Sequence, residues 1–308
     1  MAQPTKSVPK GIVLSLMKQK SKAYVNLLLV VAFWGLTFPV QKNILEGLSP
    51  VFYNALRFSF ALLLLIPIRK KLGIRLSRKS FTQGLILGLF LSGGYVFQTW
   101  GLVHTTASKS AFITALYVGL VAIIGPVVEK RIPNRYQILA LAVSLVGLYF
   151  LTTPEAGFNF GDLLTTLCAI SFALHVVFIS YFTEREDSGE MELLVPQFVV
   201  VIIVNLILIP FVDGEVRVSG SIVTVAFFSA VFATIFAVAV QLRFQRFLGS
   251  VGASLIYVGE PAFALFFAMI ILREIPGKME VIGLLLMTAG MIFGGTSSYM
   301  LRDRGVKK

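Results

Sequence analysis

A lone carboxylate and a proline interrupt one of the most apolar stretches of the chain, IYVGEPAFALFF at positions 256–267. An ionisable side chain in hydrocarbon costs roughly 3 kcal/mol on insertion scales, so Glu260 should face a bundle interior or a wet cavity. Pro261 has no N–H to offer the carbonyl of Tyr257, and it therefore kinks a helix here. Two roles stay open for the acid: it binds a substrate amine or a coupling proton, or it is structural and fixes helix packing.

Arg57 lies inside another apolar run and is the obvious candidate to pair with Glu260. A helical rise of about 1.5 Å per residue and a core of about 30 Å put the two at depths up to about 10 Å apart, so a direct pair would stretch both side chains. Arg57 would otherwise snorkel outward, bond carbonyl groups of the first span or bind a substrate carboxylate. Glu260, Arg57 and Pro261 are the candidate coupling or gating residues.

Other polar and aromatic side chains within apolar runs extend the candidate binding site. His175 and Gln98 carry hydrogen-bonding groups that need partners, which either packing or a substrate can supply. Tyr95 is three residues from Gln98 and shares its helix face. Aromatic side chains can form an apolar cavity wall, although most of the 27 phenylalanines must face lipid or core. The remaining candidate substrate-binding residues are Trp34, Thr37, Phe38, Tyr117 and Tyr257.

The composition indicates the setting in which these residues act. Of 308 residues, 56% are hydrophobic and only 14% are charged, with a mean hydropathy of +0.86, which is typical of an integral membrane protein. The net charge of +12 does not indicate a nucleic-acid partner, because the basic residues lie between apolar runs. The N-terminus lacks a signal-peptide pattern, and the single cysteine, Cys168, excludes a disulfide framework.

Ten apolar runs are long enough to cross a bilayer core of about 30 Å as helices. Short loops join them, so neighbouring spans should be antiparallel. The predicted spans are Tyr24–Leu45, Val51–Ile68, Phe81–Val103, Ser108–Val128, Arg135–Leu151, Gly161–Phe182, Leu193–Val212, Ser219–Leu242, Val251–Leu272 and Met279–Tyr299.

Lysine and arginine residues predict the orientation of these spans. With a cytoplasmic N-terminus, 21 of the 27 basic residues fall on inner segments and five on outer ones, with Arg57 inside a span. Such a bias is the positive-inside signal, and it is weakest at the mostly acidic loop 183–192. It predicts a multi-pass protein of the cell inner (cytoplasmic) membrane with both termini in the cytoplasm.

The sequence also contains a weak internal repeat. RIPNRYQILALAVSLVGLYF at 131–150 aligns with EIPGKMEVIGLLLMTAGMIF at 274–293, an offset of 143, and FWGLTFPV at 33–40 aligns with SFALHVVF at 171–178, an offset of 138. Each half has five spans, and an odd number inverts the second half. The expected fold is an all-α membrane protein of ten transmembrane helices as two inverted repeats. Its predicted divisions are a cytoplasmic tail (1–23), repeats 24–151 and 161–299, an outer linker (152–160) and a basic cytoplasmic tail (300–308).

Four segments carry a family resemblance that covers almost the whole chain. They are FWGLTFP in the first span, FYNALRF in the second, YVFQTWGLVHTTAS from the third into the fourth, and GEPAFALFFAMIILREIPGKMEVIGLLLMTAGM over the last two. In order and spacing they resemble the EamA-type ten-helix transporters of the drug/metabolite transporter superfamily. The resemblance implies a central cavity lined by spans one, three, four, six, eight and nine, with the fifth and tenth peripheral. It also implies export of small organic metabolites such as amino acids.

The function expected from these observations is secondary transport by alternating access around a midplane cavity. The alternative is an integral-membrane enzyme acting on a lipid-linked substrate, and a purely structural or receptor-like protein is disfavoured by the inverted repeat. The sequence contains no Walker loop, zinc-ligand spacing or nucleophile elbow, so we expect no enzyme activity, cofactor or metal. The expected partners are a small-molecule substrate, membrane lipids and protons as a possible coupling ion.

Overall fold

The computed structural model describes residues 10–71, 76–105, 107–151, 158–184, 190–271, 273 and 275–305. Over this part of the chain almost every residue is helical, and the one β-type pairing is an isolated bridge between Leu48 and Glu215. Ten rods follow one another, and α4, α8 and α9 are built from consecutive pieces. They are α1 (Lys10–Ile44), α2 (Pro50–Lys71), α3 (Arg78–His104), α4 (Ala107–Ala115, Tyr117–Glu129), α5 (Arg135–Leu151), α6 (Phe160–Thr183), α7 (Glu190–Leu208), α8 (Gly220–Phe228, Ser229–Phe236, Ala237–Phe244), α9 (Gly249–Tyr257, Glu260–Ile271) and α10 (Lys278–Gly305).

The rods correspond one to one to the ten predicted spans. In the described residues, eight of them, α1–α4 and α6–α9, contain stretches long and apolar enough to cross a membrane, and Arg135–Phe150 in α5 is a shorter apolar helix. Two ends differ from the prediction. Helix α1 begins at Lys10, inside the predicted tail, with its apolar stretch starting at Lys18, and α10 continues to Gly305. Residues 1–9 and 306–308 and most of the predicted linker (152–157) lie outside the described residues.

Helix packing shows the two-fold relation between the halves, α1–α5 and α6–α10. Three packed pairs map onto themselves when the halves are exchanged: α2 with α7, α4 with α9 and α5 with α10. The other large contacts come in exchanged sets. Helix α4 packs on α6 as α9 packs on α1, α3 packs on α6 as α8 packs on α1, and α3 packs on α7 as α8 packs on α2. The predicted all-α fold of two inverted five-helix repeats is confirmed.

The backbone repeats in detail at the offset of 143 residues. Helix α4 breaks at Leu116 and resumes at Tyr117, and α9 breaks just before Glu260, which is 143 residues later. Lys130 and Arg273, the two non-glycine residues with positive φ in the described chain, both have φ 55° and are also 143 residues apart. Such a conformation is uncommon outside glycine, so its recurrence at equivalent positions is evidence of a common backbone plan.

The sequence offset between equivalent residues of the two halves increases by one residue, from 142 to 143, within helix α8. Ser77 and Ser219 cap the starts of α3 and α8 through their side chains and are 142 residues apart. The segment Ser229–Phe236 is π-helical, and a π-turn accommodates one extra residue. Beyond it the offset becomes 143, so Gln98 of α3 corresponds to Gln241 of α8.

Glycines allow the closest helix contacts, as the spacing of Gly84 with Gly88 and of Gly283 with Gly290 in the sequence predicts. A methyl group at Gly147 would lie 2.6 Å from the backbone nitrogen of Met287 and 2.8 Å from the carbonyl oxygen of Gly283, so α5 and α10 touch backbone to backbone. At Gly84 and Gly88 of α3, an added methyl would meet α7 at 2.8 Å. The predicted close packing is confirmed at Gly84, Gly88 and Gly290.

Candidate functional site

A cavity lined by both polar and apolar side chains lies between the two halves of the molecule. Its volume is about 40 Å³, room for a few water molecules, so the site is narrow in this conformation. Helices α1, α2, α3, α4, α6, α8 and α9 contribute to it, whereas α5 and α10 do not. The lining residues are Trp34, Thr37, Arg57, Leu91, Tyr95, Gln98, Tyr117, Phe172, His175, Val176, Val238, Gln241 and Glu260.

Glu260 enters this cavity at the break in α9. The first half of α9 ends at Tyr257, a turn covers Val258 and Gly259, and Glu260 is the first residue of the second half. Its side chain is buried, and no hydrogen bond or ion pair to its carboxylate occurs within the described residues. The N-terminal end of a helix favours negative charge, so this position suits a carboxylate that keeps its acceptor atoms available.

Helix α1 contacts α9 directly beside this acid. A methyl group at Gly35 would lie 2.6 Å from Cβ of Phe263 and 2.9 Å from the carbonyl oxygen of Glu260. The close approach brings Trp34 into the cavity, where its indole packs 5.5 Å from the ring of Tyr257. The indole N–H is 3.2 Å from the carbonyl of Ala233, so Trp34 also connects α1 to the π-helical segment of α8.

Arg57 is 1% exposed, so it does not snorkel outward. Its Nε donates to Thr234 Oγ1 at 2.7 Å, and Nη2 donates to the Ala233 carbonyl at 2.9 Å and to the Tyr95 hydroxyl at 3.2 Å. The guanidinium lies 4.7 Å from the Tyr95 ring centre, in the range of a cation–π contact. Arg57 therefore bonds a carbonyl of α8, whereas the sequence suggests carbonyls of the first span. This contact requires that a carbonyl of the π-helical segment faces α2.

Nη1 of Arg57 has no hydrogen-bond partner, and the same holds for the Glu260 carboxylate, within the described part of the chain. Both groups line the cavity and keep some accessible surface, so their unbonded atoms open onto it. The two charges are not within 4.0 Å of each other. The cavity therefore offers a ligand the hydrogen-bond donors of Arg57 on α2 and the hydrogen-bond acceptors of Glu260 on α9.

His175 reaches the cavity from α6 and is oriented from behind by α7. Its Nε2 lies 2.9 Å from Oε1 of Gln197, while Nε2 of Gln197 donates to the carbonyl of Leu193 at 2.9 Å. A carbonyl only accepts, so the amide nitrogen must face Leu193 and the amide oxygen must face the imidazole. His175 then carries its proton on Nε2, and Nδ1 is left as an acceptor.

A second glutamine orients Gln241 in the same way. Nε2 of Gln245 donates to the Val176 carbonyl at 2.6 Å and to Ser180 Oγ at 2.7 Å, so its Oε1 faces the opposite direction. That oxygen accepts from Gln241 Nε2 at 3.2 Å and from the hydroxyl of Tyr257 at 3.1 Å. The Gln241 carbonyl oxygen is thereby left for the cavity.

The structure brings eight of the eleven predicted site residues to the cavity. Phe38, Tyr257 and Pro261 are not among its lining: Phe38 is buried, Tyr257 is held by Gln245, and Pro261 follows the break in α9. The lining residues correspond between repeats. The corresponding pairs are Trp34 with Phe172, Thr37 with His175, Tyr95 with Val238, Gln98 with Gln241 and Tyr117 with Glu260.

Sequence reasoning missed Phe172 and gave little weight to Gln241. The internal repeat contains the signal for both, because Phe172 aligns with Trp34 and Gln241 with Gln98. Nothing in the sequence marks Gln197 or Gln245, whose side chains act only through neighbours in other helices.

The halves are joined by side chains at the membrane face where α4 and α6 end and α9 begins. Arg131 Nη1 and Glu184 Oε1 are 2.6 Å apart, and Glu129 Oε1 accepts from the backbone N–H of Ser250 at 3.2 Å. Gly249 lies between the two carboxylates and has φ 72°. We call Glu129, Arg131 and Glu184 the ion cluster; both of its contacts cross from the first repeat to the second.

The opposite face is joined by backbone atoms instead. The N–H of Ser49 donates to the carbonyl of Glu215 at 3.0 Å, and the N–H of Glu215 donates to the carbonyl of Gly47 at 2.8 Å. Gly214 packs against Ser49 so closely that an added methyl would lie 2.5 Å from its Cα. We call this contact the backbone bridge, and it also crosses between repeats.

Comparison with known proteins identifies the family. The EamA-like transporter family matches twice, over residues 21–153 and 159–295, once for each five-helix repeat. The chain belongs to the EamA-like transporter family, within the drug/metabolite transporter superfamily. It is therefore a multi-pass membrane transporter.

Individual relatives agree with this assignment. A protein of Archaeoglobus fulgidus named as an uncharacterized transporter is 32% identical over 270 residues, covering 88% of this chain and 84% of the relative. A second uncharacterized transporter of that organism is 25% identical over 158 residues, covering 51% and 57%. One crystal structure, titled only as that of a protein, matches with a TM-score of 0.73 at 16% identity over 89% of this chain and 98% of that one, which shows the fold alone.

Proposed function

We propose that this protein is a secondary transporter that exports small organic metabolites such as amino acids, by alternating access around the cavity. The observation that carries the proposal is that one cavity between two inverted repeats holds two buried charged residues that do not pair with each other. Glu260 has no hydrogen bond to its carboxylate within the described residues, and Arg57 is bonded through Nε and Nη2 but keeps Nη1 free. Burying charges without partners is costly, so such groups persist where a ligand completes them. A substrate with a carboxylate and an amine supplies both missing partners.

Contacts at the two membrane faces support alternating access. The ion cluster and the backbone bridge each join the first repeat to the second, one on each face. Opening the cavity towards one face requires the contacts between repeats on that face to separate. Because the repeats share one backbone plan, the same motion can open either end.

Glu260 and Pro261 supply the proposed coupling and gating elements. Glu260 can exchange a proton with either face when the repeats move, and Pro261 keeps the second half of α9 from joining the first as one straight helix. Arg57 would hold the substrate carboxylate while it stays bonded to α8. The lysine and arginine bias supports a cytoplasmic-membrane location with cytoplasmic termini, which places the ion cluster on the cytoplasmic side.

The test is solute flux in proteoliposomes that contain the purified protein. A panel of the twenty amino acids and a set of nucleosides is measured with and without an imposed pH gradient. The proposal expects saturable movement of at least one amino acid, faster with the gradient if a proton is exchanged. An absence of flux for every solute, together with turnover of a lipid-linked substrate, would assign the protein to the membrane enzymes instead.

A further inference from the structure

Hydrogen-bond donors and acceptors are distributed unequally over the two sides of the cavity. Three lining residues of the second repeat carry an acceptor atom that no described hydrogen bond occupies: the Glu260 carboxylate on α9, Nδ1 of His175 on α6 and Oε1 of Gln241 on α8. The donor-only group of the cavity, Arg57, comes from the first repeat. We call Glu260, His175 and Gln241 the acceptor cluster.

Two buried glutamines outside the cavity fix the direction of this polarity. Gln197 is fully buried and holds its amide oxygen against Nε2 of His175, because its nitrogen is bonded to the Leu193 carbonyl. Gln245 is also fully buried and holds its oxygen against Gln241, because its nitrogen is bonded to the Val176 carbonyl. If either glutamine reversed its amide, two acceptors or two donors would face each other.

The chemistry of the acceptors narrows the ligand that they fit. A hard metal cation such as Na⁺ takes oxygen ligands, and an imidazole nitrogen is a poor member of such a set. A quaternary ammonium ion has no N–H, so it would leave the three acceptors without hydrogen bonds. A primary ammonium has three N–H donors and one positive charge, which matches three acceptors of which one is a carboxylate.

We propose that the acceptor cluster is a binding site for a primary ammonium group of the substrate, and that Gln197 and Gln245 are the positioning residues that set this specificity. The inference rests on the proposed transport function. It adds that recognition depends on the N–H donors of the substrate and not on its positive charge alone. Gln197 and Gln245 act through His175 and Gln241, without touching the substrate.

The first experiment varies the substrate. The parent compound is the amino acid with the strongest counterflow in the twenty-member panel. Its competitors are the N,N,N-trimethyl derivative, which keeps the charge but has no N–H, and the 2-hydroxy acid, which has no positive charge. Each lost charge-assisted hydrogen bond should weaken competition about tenfold or more. We expect both analogues to compete at least tenfold more weakly than the parent. Replacing Na⁺ in the buffer by N-methylglucamine should leave transport of the parent unchanged.

The second experiment varies the positioning residues. Gln197→Met and Gln245→Met keep side-chain length and remove the hydrogen bonds, so the preference for the parent over its trimethyl derivative should fall at least fivefold. In its neutral form, Gln197→Glu presents an oxygen to the same imidazole N–H and an O–H to the Leu193 carbonyl, so it should retain the preference within threefold. Asn205→Leu is the matched control, because Asn205 makes the same type of bond to its own helix, Nδ2 to the Val201 carbonyl at 2.8 Å, and makes no hydrogen bond to a described lining residue.

The outcomes separate this inference from the transport function itself. Equal competition by the parent and its trimethyl derivative, or Gln197→Met and Gln245→Met that keep the full preference while folding normally, would overturn the ammonium site and leave transport intact. A requirement for Na⁺ would assign the acceptor cluster to a cation instead. No flux of any solute would contradict the proposed function and this inference together.

Discussion

Helices α4 and α9 have the same backbone and different chemistry. Each breaks at the cavity and resumes at an equivalent residue, and each is followed by a left-handed residue, Lys130 or Arg273. At the resuming position α4 presents the phenol of Tyr117 and α9 presents the carboxylate of Glu260. In the proposed mechanism, the shared backbone lets the two repeats move in equivalent ways, and the difference in side chains provides a polar site for the substrate.

The largest expected effect comes from exchanging the chemistry at this equivalent pair. Glu260→Gln removes a charge and its charge-assisted interaction, worth about 1.5–3 kcal/mol, so transport efficiency should fall about 10- to 100-fold. Tyr117→Phe is the matched variant in the first repeat and should change transport less than about threefold, because it removes one neutral hydroxyl. Both are measured as initial flux per correctly inserted protein. Equal effects at the two positions would mean that the asymmetry is not functional.

Packing at the seam between α5 and α10 should instead respond equally in both repeats. Gly147→Ala and Gly290→Ala place a methyl group against the backbone of the other helix, and overpacking of this kind costs about 1–3 kcal/mol. Both should lower the thermal unfolding midpoint in detergent by similar amounts. Gly119→Ala is the control, since the atom nearest to its added methyl is Leu145 Cδ1 at 3.8 Å. A clear difference between the first two variants would break the equivalence.

The two faces of the molecule should differ in how easily they open. Arg131→Ala removes an ion pair whose arginine side chain is 62% exposed, so it should favour opening of the cavity towards the face of the ion cluster. The shift in this equilibrium should be at most about 1 kcal/mol, or about fivefold. The measurement is labelling of a cysteine introduced at Gln241 in a Cys168→Ala background by a membrane-impermeant thiol reagent. Arg135→Ala, which removes an exposed contact with the neighbouring Tyr136 and no described contact between the repeats, is the control and should leave labelling unchanged.

The ion cluster should also loosen as the pH falls. Burial raises the pKa of Glu184 above that of an exposed glutamate; Arg131 opposes this shift, and Glu129, the other charge facing it, adds to it. Glu184 therefore loses its charge at a higher pH than usual, and its ion pair is present at neutral pH and lost on acidification. Labelling at position 241 is normalised at each pH to labelling of the unfolded protein, because a thiol reacts more slowly as the pH falls. The normalised labelling should increase on acidification, and Glu184→Gln should reduce that increase, while Glu129 remains as a second titratable acid. A flat wild-type profile would contradict the assignment.

The smallest effects are expected at the paired left-handed residues. Lys130→Gly and Arg273→Gly relieve a strained backbone conformation but also loosen the unfolded chain, so each should change stability by only a few tenths of a kcal/mol. Valine at either position should destabilise the protein by about 1 kcal/mol or more, since β-branched residues are poorly tolerated at positive φ. Thermal unfolding measures all four variants. A valine tolerated at one position only would show that the two turns are not equivalent.

The sequence predicted the fold well because its signals are periodic and strong. Apolar length located every span, and the Ile-Pro pairs at 132–133 and 275–276 revealed the repeat. The break in α9 was predictable from Pro261. The break at Leu116 was not, because neither glycine nor proline lies there, and Pro126 falls ten residues later within regular helix.

The cavity was less predictable because it depends on how the helices are rotated. Arg57 was recognisable as a buried charge, yet its partners in the π-helical segment depend on one extra residue in α8. His175 was recognisable as a polar residue in a span, but its tautomer depends on Gln197 in another helix. The proposed role of each cavity residue therefore stays a prediction until it is measured.

The most direct test of alternating access is a pair of distances in one protein. Spin labels at Arg135 and Arg243 span the face of the ion cluster, and labels at Glu46 and Phe158 span the face of the backbone bridge, all in a Cys168→Ala background. The first pair joins the two repeats, and the second joins the first repeat to the residue two positions before α6. Double electron–electron resonance measures the distance distribution of each pair with and without a transported solute and at several pH values. Alternating access predicts that one distance distribution lengthens as the other shortens. Two distances that stay fixed, or that lengthen together, while the protein transports solute would contradict it.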